Sequence, residues 1–349
     1  MNENVGSLRS MGGRSLRVGC DVGGILCPFI ALFCVLKIDA KLAMVSENDK
    51  NVSKLIADFP RTDDAVFYGD VKSRHAAYAP GCDLFVVSAP CTPWSSAGTR
   101  SPETHPDAKL VYHSLAYICV HKPKAVVFEN VPQFRNSPEM KEILLFMKSL
   151  NYAVEHHILN SKDYSVPQNR PRLYVICWLD NPTHKLHIPS CDRVPRLLDF
   201  IRPHPEPAFK LAPDRGKTLH RDNVMNMLNR CTENDIKQGM SIDAGCSLRF
   251  AKAKVNMVGT LTRAGCARGS IWATCKGGYL DHNDMERLQG IPPGIFDHLA
   301  TVDVSVPQYR AMLGNAITVP VFASVAVAVL DGAGLLAASE KMNLIGRLF

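Results

Sequence analysis

Between residues 15 and about 180, short apolar runs alternate with stretches whose apolar residues recur at helical spacing, and this alternation constrains the fold most. Strands are expected at 16–20, 42–46, 65–68, 84–87, 125–128, 153–159 and 173–178, with helices at 25–36, 109–120 and 138–150. Such alternation predicts an α/β fold: a doubly wound, mainly parallel sheet covered by helices on both faces. In open sheets of this kind, ligands sit beyond the carboxyl ends of the strands. Glu47, Asp70, Cys91 and Glu129 follow the second, third, fourth and fifth expected strands in turn. Any one of them could be a coincidence; four in order describe the rim of an active site.

With 349 residues, the chain has room for one large domain plus a small one. The first 14 residues read as a polar, Gly-rich lead-in, and 15–180 as the catalytic domain. Residues 181–256 change character: strand signals fade, and Arg193, Arg196, Arg202, Lys210, Arg215, Lys217, Arg221 and Arg230 spread basic charge. This stretch is expected to form a small, irregular second domain, with 257–349 returning to the first. A net charge of +7 is compatible with a polyanionic partner and is weak support for one.

The 12 cysteines include no C-x2-C pair, which argues against a disulfide framework and against structural zinc, so no metal is expected. The apolar run 319–330 is shorter than the ~20 residues of a membrane span, and Asp331 interrupts it. It reads as a buried helix, and no membrane partner is expected. Asn51-Val52-Ser53 fits a glycosylation acceptor, but with no signal peptide in view the chain is expected to be intracellular and unglycosylated.

A bare cysteine is usually a small buried hydrophobe, and Cys20, Cys27 and Cys34 read that way. Cys91 differs because it lies on a turn between Pro90 and Pro93, followed by Ser95 and Ser96, where a sulfur could reach a ligand. Glu129 and Asn130 follow four apolar residues. The carboxyl is either a surface group at a strand end or a partly desolvated acid able to donate a proton near neutrality. Arg170 and Arg172 alternate before an apolar run. On a strand they would share a face, as a solvated edge or as a clamp on phosphate or a base edge.

Taken together, these segments resemble a cytosine-C5 methyltransferase dependent on S-adenosylmethionine. The Pro90-Cys91 turn is similar to that family's nucleophile motif. Glu129-Asn130-Val131 matches its Glu-Asn-Val motif, and Gln168-Asn169-Arg170-Pro171-Arg172 its Gln-x-Arg-x-Arg motif. Glu286-Arg287-Leu288-Gln289-Gly290 and Gly314-Asn315-Ala316 resemble its two C-terminal motifs. Each is weak alone; five in order are strong.

The resemblance implies a Rossmann-like methyltransferase sheet and assigns roles. Cys91 would add to C6 of a flipped-out cytosine, Glu129 would bond its N3/N4 edge, and Arg172 would stand at O2. Ser95, Asn130, Gln168 and Arg170 would serve substrate binding, Asn130 by holding the Cys91 loop and Gln168 by supporting the pocket. S-adenosyl-L-methionine would be held by Val22, Gly23 and Gly24, by Glu47 and Asn48 at the ribose, by Asp70 at the adenine, and by Pro90, Asn315 and Ile317. Residues 181–256 would be the target-recognition region.

Two departures fall in the cofactor loop. Gly19 stands where the family carries an aromatic that stacks on adenine, and Asp21 replaces the loop's first glycine. The expected partner is double-stranded DNA, with the chain a monomer, in the nucleus if the source is eukaryotic. RNA is the alternative, on a tRNA-modifying branch that usually carries a Cys-Phe-Thr tripeptide absent here. A catalytically silent nucleic-acid-binding regulator is the reading from another class.

Overall fold

The structure, a computed structural model, describes residues 14–57, 59–90, 94, 105–179, 183–191, 193, 195–206, 218–249 and 251–348. Two compact units emerge. The first comprises Met1–Leu159, Pro171–Ser190 and Val319–Phe349, and the second Asn160–Arg170 and Cys191–Thr318. This corrects the expected boundaries: the first unit resumes at Val319 rather than at 257, and the second also takes in Asn160–Arg170. The reason is polar. Gln168 and Arg170 are buried, and their bonding groups find partners at Leu261, Leu288, Gly314 and Ala316. Arg14, expected in the lead-in, belongs to the folded unit, its Nη2 2.7 Å from Asp83 Oδ1.

Among the described residues, the first unit is built on a seven-stranded sheet of order β3-β2-β1-β4-β5-β7-β6. Its strands are β1 (Leu16–Asp21), β2 (Ala40–Ser46), β3 (Val66–Tyr68), β4 (Leu84–Val87), β5 (Ala125–Asn130), β6 (Ala153–Asn160) and β7 (Pro171–Trp178). The pairs joining β1 through β5 are parallel, and β7 runs antiparallel to β5. This is the doubly wound, Rossmann-like arrangement expected. β1, β4 and β5 are almost wholly buried, which is why they read as continuous apolar runs.

Four helices pack with this sheet in the first stretch of chain: α1 (Cys27–Ile30), α2 (Lys50–Ile56), α3 (Val111–His121) and α4 (Pro138–Ser149). α1 widens into a π-helical segment over Ala31–Val35, so the helix expected at 25–36 starts two residues later and changes pitch.

The second unit corrects the expectation of irregularity. It carries α5 (Leu197–Phe200), α6 (Thr218–Leu228), α7 (Glu233–Gln238), α8 (Arg263–Arg268), α9 (His282–Leu288) and α10 (Val306–Asn315). It also holds an antiparallel sheet of order β11-β10-β8-β9, from β8 (Met240–Asp243), β9 (Ala253–Val255), β10 (Ile271–Ala273) and β11 (Gly278–Tyr279). Val224 and Leu228 of α6 pack there with Met240, Ile242 and Trp272. Strands of two to four residues are too short to show period-two alternation.

The chain returns to the first unit as α11 (Val319–Gly332) and α12 (Ala338–Ile345). All of α11 except Pro320 and Asp331 is buried, as its sequence implied. Pro320 sits in the first turn, where a missing N–H costs nothing.

Candidate active site

The carboxyl ends of β4 and β5 lie side by side, because Val87 pairs with Phe128. Glu129 and Asn130 are the last residues of β5 itself, registered opposite Tyr174 and Leu173 of β7. That register puts Arg172, one residue earlier on β7, within reach: its Nε lies 3.3 Å from Glu129 Oε1. Ser88, the residue after β4, donates its hydroxyl to Glu129 Oε2 at 3.0 Å. Glu129 is only 7% exposed, so one hydroxyl donor and one paired guanidinium hold it in a largely dry setting.

Asn130 is tied down differently. Its Oδ1 accepts from Val131 N at 2.8 Å, and its Nδ2 donates to the Ala89 carbonyl at 3.2 Å. Ala89 stands two residues before Cys91. Three residues after Cys91, Trp94 is buried edge-on to Phe134 with ring centroids 4.6 Å apart. Cys91 and Ser95 lie outside the described residues.

Several residues expected at the cofactor gather at the carboxyl ends of β1, β2 and β3. Glu47 follows β2 and is buried, with Oε2 accepting from Gly24 N and Oε1 from Asp49 N, each at 2.9 Å. Burial pushes the Glu47 carboxyl above the ordinary range, and the Asp49 charge adds to this against the backbone amides of Asp49, Gly24 and Asn48. Gly23 has no room for a side chain, since a Cβ there would come within 2.7 Å of Val45. Gly24, at φ +50°, opens onto free space, as a residue lining a ligand must. Val22 also has positive φ. Asn48 is exposed, and Asp70 caps the turn Val71–Ser73 by accepting from Lys72 N at 2.9 Å.

A C-5 cytosine-specific DNA methylase family profile matches residues 20–331. The chain belongs to this family. Among its relatives, the type II methyltransferase M.MspI of Moraxella sp is 22% identical over 266 residues, covering 74% of this chain and 58% of that protein. M.MthTI of Methanothermobacter thermautotrophicus is 32% identical over 148 residues, covering 40% of this chain and 44% of that protein. The chain thus spans about half the length of these curated relatives. The solved Entamoeba histolytica methyltransferase EhMeth shares the fold at 16% identity, with a TM-score of 0.65 over 91% of this chain and 98% of that one.

Membership explains why the C-terminal methylase motifs recur, and the second unit shows what they do here. Arg170 is buried and donates to the carbonyls of Leu261, Gly314 and Ala316. Gln168 is fully buried, donating to the Leu288 carbonyl at 2.6 Å and accepting from Leu261 N at 3.1 Å. Gln289 donates to the Leu313 carbonyl at 2.6 Å and accepts from Thr318 Oγ1 at 3.0 Å. At Gly314 a Cβ would lie 2.5 Å from Thr262 backbone atoms, so α10 can approach that segment only through glycine.

Gln-x-Arg, Leu-Gln-Gly and Gly-Asn-Ala are therefore one interlocked polar core. Arg170, expected at the substrate, instead faces backbone carbonyls, while Gln168, expected to support the pocket, bonds the Leu288 carbonyl and the Leu261 amide. Nor do Arg170 and Arg172 share a strand face, since β7 begins at Pro171. Asn315 is exposed at the end of α10, and Ile317 is buried within the second unit.

Removing the Arg170 guanidinium would take a donor from three buried carbonyls, of which Ala316 keeps a longer bond from Gln289 Nε2 at 3.5 Å. Arg170→Met is expected to lower stability by roughly 2–5 kcal/mol. Urea denaturation measures this, and a loss below about 0.5 kcal/mol would show the carbonyls to be satisfied otherwise.

Proposed function

We propose that this chain is a DNA (cytosine-5)-methyltransferase, carrying a methyl group from S-adenosylmethionine to C5 of a flipped-out cytosine through a covalent bond to Cys91. The carrying observation is the cluster at the ends of β4, β5 and β7. There, Ser88 and Arg172 fix both oxygens of Glu129 while Asn130 fastens the strand end that leads to Cys91.

Cytosine C5 is too weakly nucleophilic to attack a methyl donor unaided. Addition of the Cys91 thiolate to C6 breaks the ring's C5–C6 double bond and makes C5 electron-rich. Glu129, held beside Arg172 and Ser88, accepts from the N4 amino group and, as the acid, donates its proton to N3 as negative charge develops on addition, regaining it when Cys91 is expelled. Arg172 holds the O2 side. After methylation, loss of the C5 proton to a base returns the electron pair that expels Cys91 as thiolate.

The residues present fit the proposed cofactor. The buried Glu47 carboxyl, with one amide on each oxygen, retains lone pairs for ribose hydroxyls, and Gly24 leaves open space beside it. S-adenosylmethionine, when bound, supplies the electrophilic methyl. Asp70 would serve its adenine amino group, and the backbone of Val22–Gly24 would help hold it.

Glu47 gives this reading a pH signature. Its folded-state value is raised, so its contribution to stability is complete below the unfolded carboxylate range and is lost as pH rises through the raised value. Ribose binding runs the other way, because it uses the ionised acceptor. Affinity for S-adenosylhomocysteine is expected to fall as pH drops through the raised Glu47 value, starting above the ordinary carboxylate range. Calorimetry at several pH values checks this. An unchanged profile in Glu47→Gln would remove Glu47 from the cofactor.

Duplex DNA is the proposed substrate, and the basic second unit, with Arg196, Arg202, Arg221 and Arg230, is its proposed contact surface. Transfer of labelled methyl from S-adenosylmethionine to duplex DNA and, separately, to bulk tRNA tests the reading. Label on DNA supports it; label on tRNA alone would replace the substrate. No label on either from folded protein would favour a silent regulator.

A further inference from the structure

The two departures in the cofactor loop, Gly19 and Asp21, are halves of one arrangement. Asp21 ends β1 with its side chain fully buried, and its Oδ2 accepts from Arg74 Nη2 and from Ser114 Oγ of α3, each at 2.8 Å. Arg74 also donates to the His113 carbonyl at 3.2 Å. Its guanidinium lies 4.8 Å from the Tyr117 ring centroid and 5.9 Å from that of Phe85. The same Phe85 fills the space beside Gly19, where a Cβ would meet it at 3.1 Å. An aromatic at position 19 would displace the ring that Arg74 covers. Glycine at 19 and a carboxylate at 21 therefore go together.

This pair is costly as a source of stability. Burial opposes the Asp21 charge, with Arg74, Ser46 and Ser114 working against it. Ser46 lies near enough to favour the carboxylate, yet Asp21 Oδ1, Ser46 Oγ and Arg74 Nε are all buried without a partner in hydrogen-bond geometry. Buried ion pairs are often replaceable by apolar residues at no loss of stability. What this one does supply is placement. Asp21 immediately precedes Val22–Gly24, Arg74 closes the turn that Asp70 caps, and Ser114 belongs to α3.

We infer that Asp21 and Arg74 are positioning residues that fix the Val22–Gly24 loop against the Asp70 turn, setting the width of the cofactor site without touching the cofactor. The inference rests on S-adenosylmethionine being the cofactor. It carries a counter-intuitive consequence: restoring the family's residue by Asp21→Gly weakens cofactor binding.

The test is calorimetric titration of S-adenosylhomocysteine into the full chain, alongside urea denaturation, for wild type, Asp21→Gly and the double variant D21N/R74M. The double variant removes both charges, so it is expected to unfold no more easily than wild type while binding roughly tenfold to a hundredfold more weakly. Stoichiometry separates the causes, because partial unfolding lowers the number of sites and a loosened site raises Kd at full occupancy. Wild-type affinity in the double variant would overturn the inference. Should that variant not fold, Ser114→Ala takes its place, with several-fold weaker binding expected and wild-type affinity overturning the inference. If wild type itself does not bind, the cofactor reading fails rather than the clamp.

Discussion

Cys91→Ser is expected to abolish methyl transfer, with a loss of roughly 10⁴-fold or more, comparable to removing the nucleophile from other covalent enzymes. A serine hydroxyl is far less acidic than a thiol, so almost none of it would be ionised near neutrality. Without addition at C6, C5 stays unreactive however well the cofactor is held. The variant should therefore bind S-adenosylhomocysteine as wild type does. Duplex DNA carrying cytosine with fluorine at C5 gives a second readout. Fluorine cannot leave as a proton, so Cys91 is not expelled and the adduct survives denaturation. A denaturation-resistant complex with wild type and none with Cys91→Ser is the expected pattern. Transfer within tenfold of wild type would assign the chemistry to another group.

The first unit was legible in sequence because its central strands β1, β4 and β5 are buried on both faces and its helices are amphipathic. Both patterns reach the sequence as periodicity. Glu47, Asp70 and Glu129 could be placed because a charged residue closing an apolar run marks a strand's carboxyl end. What escaped notice was set by distant pairing. Ser88 lies 41 positions from Glu129 in sequence, yet the β4–β5 register brings it there. Arg74 carried no signal at all, since its polar partners, the Asp21 carboxylate and the His113 carbonyl, are 53 and 39 positions away. The sheet of the second unit hid in strands shorter than one pattern repeat. Arg170 was misread for a related reason, because a guanidinium in a motif suggests a ligand until its carbonyl partners are seen.

Glu129→Gln tests the centre of the proposed chemistry with almost no change in shape. In the native side chain one oxygen accepts from Ser88 Oγ at 3.0 Å and the other is ion-paired with Arg172 Nε at 3.3 Å. An amide offers only one oxygen. With its oxygen toward Arg172, its NH2 can donate to the Ser88 hydroxyl, so the Ser88 contact reverses direction instead of being lost. The site loses the charge that orders Arg172, whose side chain is only 16% exposed. Because Glu129 acts chiefly as the base becomes charged, the loss should fall on kcat, by roughly 10²–10³-fold, with KM for DNA changed far less. Cofactor affinity should be preserved, since Glu47, Gly24 and Asp70 do not bond to this cluster. A fall in KM-limited binding with kcat intact would make Glu129 a docking residue, and the arrangement with Arg172 and Ser88 would then serve recognition of the base rather than its activation.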